Sequence, residues 1–232
     1  MVRKLIITPW FGSLPVWFDR WKENFDRLGK YGYDLLMPTD LDDFKKRCAD
    51  KLDIIDCPVE YGKAKVHDYR SVFGVLYEEE LKGYEFYGHT DFDCVYGRVD
   101  KWVTDELLGS VDILSNHLCA GRSRHWEGQV GYICGPWTLY RNTPAVNNIF
   151  RDYPTWKEVL EETPVSGWVE KEFSNVVDQR GKSDIRLKYV FWQGHNPDIT
   201  TNLRWRGESL YDGNDEIMMF HFNRTKVWPH AL

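Results

Sequence analysis

Tyr84-Glu85-Phe86-Tyr87-Gly88-His89-Thr90-Asp91-Phe92-Asp93-Cys94-Val95-Tyr96-Gly97 decides how this chain is read. An aromatic-rich, strand-like run breaks into Asp-Phe-Asp, and Gly97 follows shortly after. In extended backbone, side chains two apart share a face, so Asp91 and Asp93 can converge on one hard cation. Carboxylates at the end of a buried strand are costly unless a charge offsets them, and a divalent metal holding a diphosphate does so. Two acids at this spacing also occur in solvated turns, so the motif is weighed with the elements around it.

Working outward, the chain alternates short apolar strands with helical patterns. Lys4-Leu5-Ile6-Ile7-Thr8 is a strand ending at Pro9-Trp10-Phe11-Gly12. A helix is expected over residues 14–28, where Trp17, Phe18, Trp21, Phe25 and Leu28 recur near helical spacing. Gly29 and Gly32 stop it, and Tyr33-Asp34-Leu35-Leu36-Met37 is a second strand ending at Pro38-Thr39-Asp40. Residues 41–51 are expected as a helix, residues 52–55 as a third strand and residues 66–81 as the helix before the acidic strand. Further on, strands are expected at 111–115, at 131–140 with a break at Gly135-Pro136, and at 217–222. Helices are expected at 142–150 and 168–180. This order predicts an α/β fold with a largely parallel central sheet flanked by helices. Ligands of such folds bind beyond the carboxyl ends of strands, where Thr8-Pro9-Trp10, Thr39-Asp40 and Asp91–Asp93 all fall.

The 232 residues suffice for one well-buried core, and no Pro/Gly/Ser-rich linker, repeat or low-complexity stretch divides them. One domain over residues 1–232 is therefore expected. The net charge of −6 argues against a general polyanion binder. The N-terminal apolar run is too short for a signal peptide, and no window reaches the length of a membrane span. Cys48, Cys57, Cys94, Cys119 and Cys134 are odd in number and lack Cys-x-x-Cys spacing. They read as reduced thiols of a cytoplasmic protein. Aromatics make up 16% of the chain, with 11 Trp, which suits a protein that stacks on sugars or bases as well as one with an aromatic core.

Breaking a sugar–phosphate bond in a nucleotide-diphosphate donor requires the leaving diphosphate to be neutralised, by a metal and by nearby Lys or Arg. Asp91 and Asp93 are the candidate metal ligands, with Asp93 also a candidate catalytic group. Mg²⁺ and Mn²⁺ both suit oxygen-rich sites, and an imidazole ligand tilts the choice to Mn²⁺. His221, at the end of an apolar strand, is the candidate imidazole, and Lys226 five residues on is placed to reach the β-phosphate. Lys65 and Arg70 are candidates for phosphate or ribose, with Asp68 orienting Arg70 or bonding the nucleoside. The 122–127 loop, Arg-Ser-Arg-His-Trp-Glu, is a candidate acceptor lid. Glu170 and Glu172 flank a candidate base position. A solvated helix start, an exposed loop and a solvated helix face are the plain alternatives for these last three.

Several segments in order then resemble a family. They are Pro9-Trp10-Phe11-Gly12, Lys65-x-x-Asp68-x-Arg70 with Phe73-Gly74, Gly88-x-x-Asp91-x-Asp93 with Tyr96-Gly97, Gly135 to Asn142, and His221-Phe222-x-x-x-Lys226. The chain resembles GT-A type (Rossmann-like) glycosyltransferases, close to small bacterial and phage enzymes of capsular or surface polysaccharide synthesis. The resemblance implies a nucleotide-sugar-binding half over 1–97, with an acceptor half and a C-terminal metal and phosphate segment over 98–232. It implies Asp91, Asp93 and His221 on Mn²⁺ or Mg²⁺, and Lys226 on the leaving diphosphate. It also implies Asp40 and Trp10 near the base, and Glu170 as the base of an inverting reaction. The ending Lys226-Val227-Trp228 departs from the Lys-Pro-Trp of similar retaining enzymes, so stereochemistry stays open. The donor implied is a nucleotide-diphosphate sugar, a UDP-sugar first, and the acceptor a glycan. A nucleic-acid acceptor, as in a phage DNA-base glycosyltransferase, is an alternative that needs a basic channel. Two other classes stay open: a metal-dependent hydrolase or nucleotidyltransferase with clustered acids for a second metal, and a non-catalytic carbohydrate-binding module.

Overall fold

The structure, a computed structural model, describes residues 1–116, 133, 135–162, 167–190 and 203–222. In chain order the elements are β1 Lys4–Ile7, α1 Phe18–Asp26, β2 Tyr33–Leu36, α2 Leu41–Leu52, α3 Phe73–Leu76, β3 Phe86–Thr90 and β4 Cys94–Tyr96. They continue with α4 Asp105–Gly109, β5 Ile113–Asn116, β6 Trp137–Arg141, α5 Pro144–Asn147, α6 Trp156–Glu161, α7 Glu172–Gly181 and β7 Leu187–Val190. Four short strands follow: β8 Leu203–Arg206, β9 Ser209–Asp212, β10 Asp215–Ile217 and β11 Met219–His221.

Six strands form the central sheet in the order β2-β1-β3-β6-β5-β7. β1 runs parallel to both β2 and β3, and β5 runs parallel to β7. β6 lies antiparallel between β3 and β5. The sheet is thus mixed and largely parallel, with β6 alone reversed. Alternation along β1 divides the interior: Leu5 and Ile7 join one buried cluster and Ile6 the other. α2, α3 and α7 cover the first face, and α1 with β4 and β11 the second.

Several sequence expectations need correction. No strand forms at residues 52–55. α2 runs through Leu52, Asp53 caps it in the left-handed region (φ 57°), and the Ile54 amide donates back to the Cys48 carbonyl at 3.1 Å. The helix expected over 66–81 is instead a 3₁₀ segment, Ala64–Val72, followed by the single turn of α3. Lys65, Val66, Asp68, Tyr69, Arg70, Ser71 and Val72 are all buried, so the segment threads the interior and has no amphipathic stripe to favour an α-helix. The single strand expected at 217–222 is divided. Asp215–Ile217 closes a three-stranded antiparallel meander with β8 and β9, while Met219–His221 pairs antiparallel with β4 as a separate ribbon. The break falls at Met218, whose carbonyl accepts from the Gly97 amide at 2.8 Å.

α1 holds that ribbon in place. Asn24 mimics a strand edge: its Nδ2 donates to the Tyr96 carbonyl at 3.0 Å and its Oδ1 accepts from the Tyr96 amide at 2.7 Å. Among the described residues, no helix is long and apolar enough to cross a membrane.

Candidate functional site

The carboxyl ends of β1 and β3 open on a cavity of about 370 Å³. Beyond β1, the Thr8 amide still pairs with Leu36 and the Trp10 amide with Pro38, which brings Pro9 and Trp10 to the rim. Beyond β3, residues 91–93 form the turn into β4, not a continued strand. Phe92 anchors this turn. Its ring is buried edge-on against Trp21 at 4.5 Å, Trp10 at 5.1 Å and Phe18 at 5.4 Å, and its carbonyl accepts from Trp17 Nε1 at 2.8 Å. With Phe92 locked below, Asp91 and Asp93 both line the cavity.

His221 arrives from β11. Its Nε2 lies 3.0 Å from Asp93 Oδ1 and 3.9 Å from Asp91 Oδ2. The Phe222 amide donates to the Asp93 carbonyl at 2.9 Å, so the ribbon fixes the imidazole against the acids. Among the described residues, one group has the spacing to hold a metal ion. It is Asp93, Cys94 and His221, whose ligand atoms all lie within 4.8 Å of one another.

Arg70 crosses the floor. One guanidinium nitrogen pairs with Asp91 and the other donates to the Gly135 carbonyl at 2.8 Å. Glu170 faces it, at the end of the 3₁₀ turn Trp168–Glu170. A Cβ on Gly135 would strike the Glu170 carboxylate and come within 3.1 Å of Arg70 Nη1, so a glycine is what leaves room for both side chains beside it. His67 also lines the cavity, and burial, helped by the Arg70 charge, lowers its imidazole to about 4. It is therefore a neutral donor and acceptor at physiological pH.

Burial pushes the Glu170 carboxyl above its ordinary 4.5; Arg70 opposes the rise and Asp91 adds to it. Between its unfolded and folded values the native state binds the extra proton. Its stabilising effect is thus full below the unfolded value and is lost as pH climbs through the folded one. Glu170→Gln is expected to melt higher than the parent at neutral pH, with the gap closing as pH falls below 4.5. Melting curves of both proteins from pH 4 to 8 check this, and a gap independent of pH would sink it.

Of the residues singled out in the sequence, Trp10, Arg70, Asp91, Asp93, Glu170 and His221 line this one cavity. Pro9 lines a smaller hollow of about 20 Å³ beside it, which shares Trp10, His67, Arg70 and Asp91. Lys65 and Asp68 have other partners. They pair with each other at 3.1 Å, Lys65 donates to the Val159 carbonyl at 2.9 Å, and Asp68 accepts from the Trp168 amide at 3.3 Å. Asp40 caps α2, accepting from the Asp42 and Asp43 amides. Lys226 and the 122–127 loop lie outside the described residues. His67, Trp17 and Pro136 line the cavity without having been singled out. For His67 the signal was its place one turn before Arg70, and for Pro136 the strand break at Gly135-Pro136; Trp17 carried only its helical spacing.

A family model described as "Family of unknown function (DUF6625)" matches residues 6–227. The chain belongs to the DUF6625 family. The match spans both the Asp91–Asp93 turn and His221, so this DUF6625 chain carries its whole candidate site inside the family region. No curated protein matches it. Among solved structures, it is similar to a glycosyltransferase involved in the glycosylation of the major capsid of PBCV-1. That match has 15% identity and a TM-score of 0.46, over 83% of each chain. It is also similar to A197 from STIV, at 13% identity and a TM-score of 0.38, over 93% of this chain and 96% of that one. Both likenesses are too loose to assign an activity.

Proposed function

We propose that this protein is a metal-dependent glycosyltransferase that moves a sugar from a nucleotide-diphosphate donor, a UDP-sugar first, to a glycan acceptor. The observation that carries the reading is the convergence of Asp91, Asp93, His221, Arg70 and Glu170 on one cavity walled by Trp10 and Trp17. The sequence resemblance to GT-A enzymes supports it from a separate direction.

The donor set fits a divalent cation, Mn²⁺ or Mg²⁺ on the sequence reading, because the Asp93 carboxylate lies 3.0 Å from the His221 imidazole, with an Asp91 oxygen 3.9 Å from the same nitrogen. When bound, such an ion supplies Lewis-acid stabilisation of the leaving diphosphate. The remaining work falls to the chain. Arg70, fixed at both ends, holds positive charge at the floor without needing to reorganise. Trp10 and Trp17 offer flat faces for a base or sugar and exclude water from the bond being broken. Glu170, whose carboxyl burial pushes above its ordinary value, is the proposed base that takes the proton of an acceptor hydroxyl. A two-metal hydrolase would need a second cluster of ligands, and the described residues hold one.

A thermal-shift series with UDP, GDP, CDP and dTDP, each with and without Mn²⁺, tests the reading. One nucleotide at a hundredfold excess over its Kd is expected to raise Tm by roughly 5–10 °C, and only with metal present. No metal-dependent shift with any of the four would refute the donor site.

A further inference from the structure

The turn that carries the acids is followed at once by a thiol, and the strand pairing decides where that thiol points. Cys94 and His221 are direct partners in the β4–β11 ladder. In an antiparallel pair, residues directly opposite project from the same face, with Cβ atoms about 4.5–5.5 Å apart. Asp93, in the turn before β4, is not bound by that alternation and swings its carboxylate to the same imidazole at 3.0 Å. Imidazole nitrogen, carboxylate oxygen and thiol sulfur thus gather within 4.8 Å, and all three residues are buried. Asp91 is positioned differently: one of its oxygens is taken by Arg70, and the other stands 3.9 Å from His221 Nε2. The Cys94 thiol also lies 3.8 Å from the Pro136 carbonyl, a contact that a cation would replace.

We propose that Cys94 is a ligand of the cation held by Asp93 and His221, making the centre a transition-metal site that discriminates against magnesium. Coordination replaces the thiol proton, which passes to solvent, and the sulfur supplies the electron pair. Magnesium prefers oxygen donors and sheds water reluctantly, whereas a mixed nitrogen, oxygen and sulfur set suits borderline ions such as zinc or cobalt. The inference rests on the transferase reading only for what the cation does; its binding is measured without any donor.

Cobalt(II) titrated into chelator-stripped, full-length protein is the test. The expected result is a sulfur-to-cobalt charge-transfer band that saturates at one equivalent and survives a large excess of Mg²⁺. Cys94→Ser is expected to lose the band and to bind cobalt on the order of 10- to 100-fold more weakly. Cobalt binding without the band, a band unchanged in Cys94→Ser, or ready displacement by magnesium would each overturn the proposal. If Cys94→Ser does not fold, zinc X-ray absorption on the parent protein decides. A sulfur neighbour at about 2.3 Å supports the site, and a shell of oxygen and nitrogen alone overturns it. An intact band in a protein that never responds to a nucleotide supports the site and sinks only the transferase reading.

Discussion

Asp93→Asn is expected to lower sugar transfer by about 10³-fold, the scale on which removing one preorganised charge-stabilising group acts. The substitution keeps the shape of the side chain, which is 9% exposed, and keeps an oxygen facing His221 Nε2. It removes one negative charge from a buried turn, so folding stability should hold or rise. The metal-dependent nucleotide shift should vanish with the activity. Transfer assays beside melting curves separate the two effects. A folded Asp93→Asn protein within tenfold of parental activity would mean that the carboxylate does not hold the cation on which the proposed reaction depends.

Arg70→Met acts on the other half of the floor, and here the large effect is on folding. The guanidinium side chain is 7% exposed, and it is shared between Asp91 and the Gly135 carbonyl. Deleting it leaves Asp91 and Glu170 as two acids in the lining of one cavity without the guanidinium that offsets them, and strands a buried carbonyl. Breaking a buried pair from one side costs about 3–5 kcal/mol, mostly as the penalty of the charge left behind. The double variant Arg70→Met/Asp91→Asn should recover part of that loss, and the coupling energy of the cycle isolates the pair. Lysine is a poor replacement, because one ammonium on a flexible stem cannot span both partners as the planar fork does. Chemical denaturation of the four proteins gives the numbers. A cost under about 1 kcal/mol for Arg70→Met would show that the pair is solvated and the floor is not preorganised.

The parts legible in the sequence were those set by local pattern. Short apolar runs ending in polar residues located β1, β2 and β3, and the Asp91 and Asp93 pair was marked, although by an argument from extended backbone where the chain makes a turn. What local pattern could not reveal was partnership. Lys65 and Asp68 have the residue types of a phosphate and ribose contact, yet a buried ammonium and carboxylate three residues apart satisfy each other. Asp40 likewise reads as a ligand at a strand end, and its oxygen instead serves two amides of α2. β11 lies inside the strand expected at 217–222, but β4 is three residues long, too short for a period to register, so the pairing that delivers His221 was not legible. Leu52–Ile55 looked like a strand because apolar run length alone does not separate a strand from a helix end. His67 and Trp17 reach the cavity by tertiary convergence.

The ribbon has a consequence for how the protein comes into being. Asp91 and Asp93 are made early, and their sheet can assemble from β1, β2 and β3, yet the imidazole opposite them is carried by a strand that begins at residue 219. On a ribosome extending the chain from its first residue, everything up to that point is a scaffold with an open cradle. The cradle of Asp93 and His221 closes only when β11 docks. On the transferase reading proposed above, a half-made copy would lack its cation site, and competence would arrive in one late step.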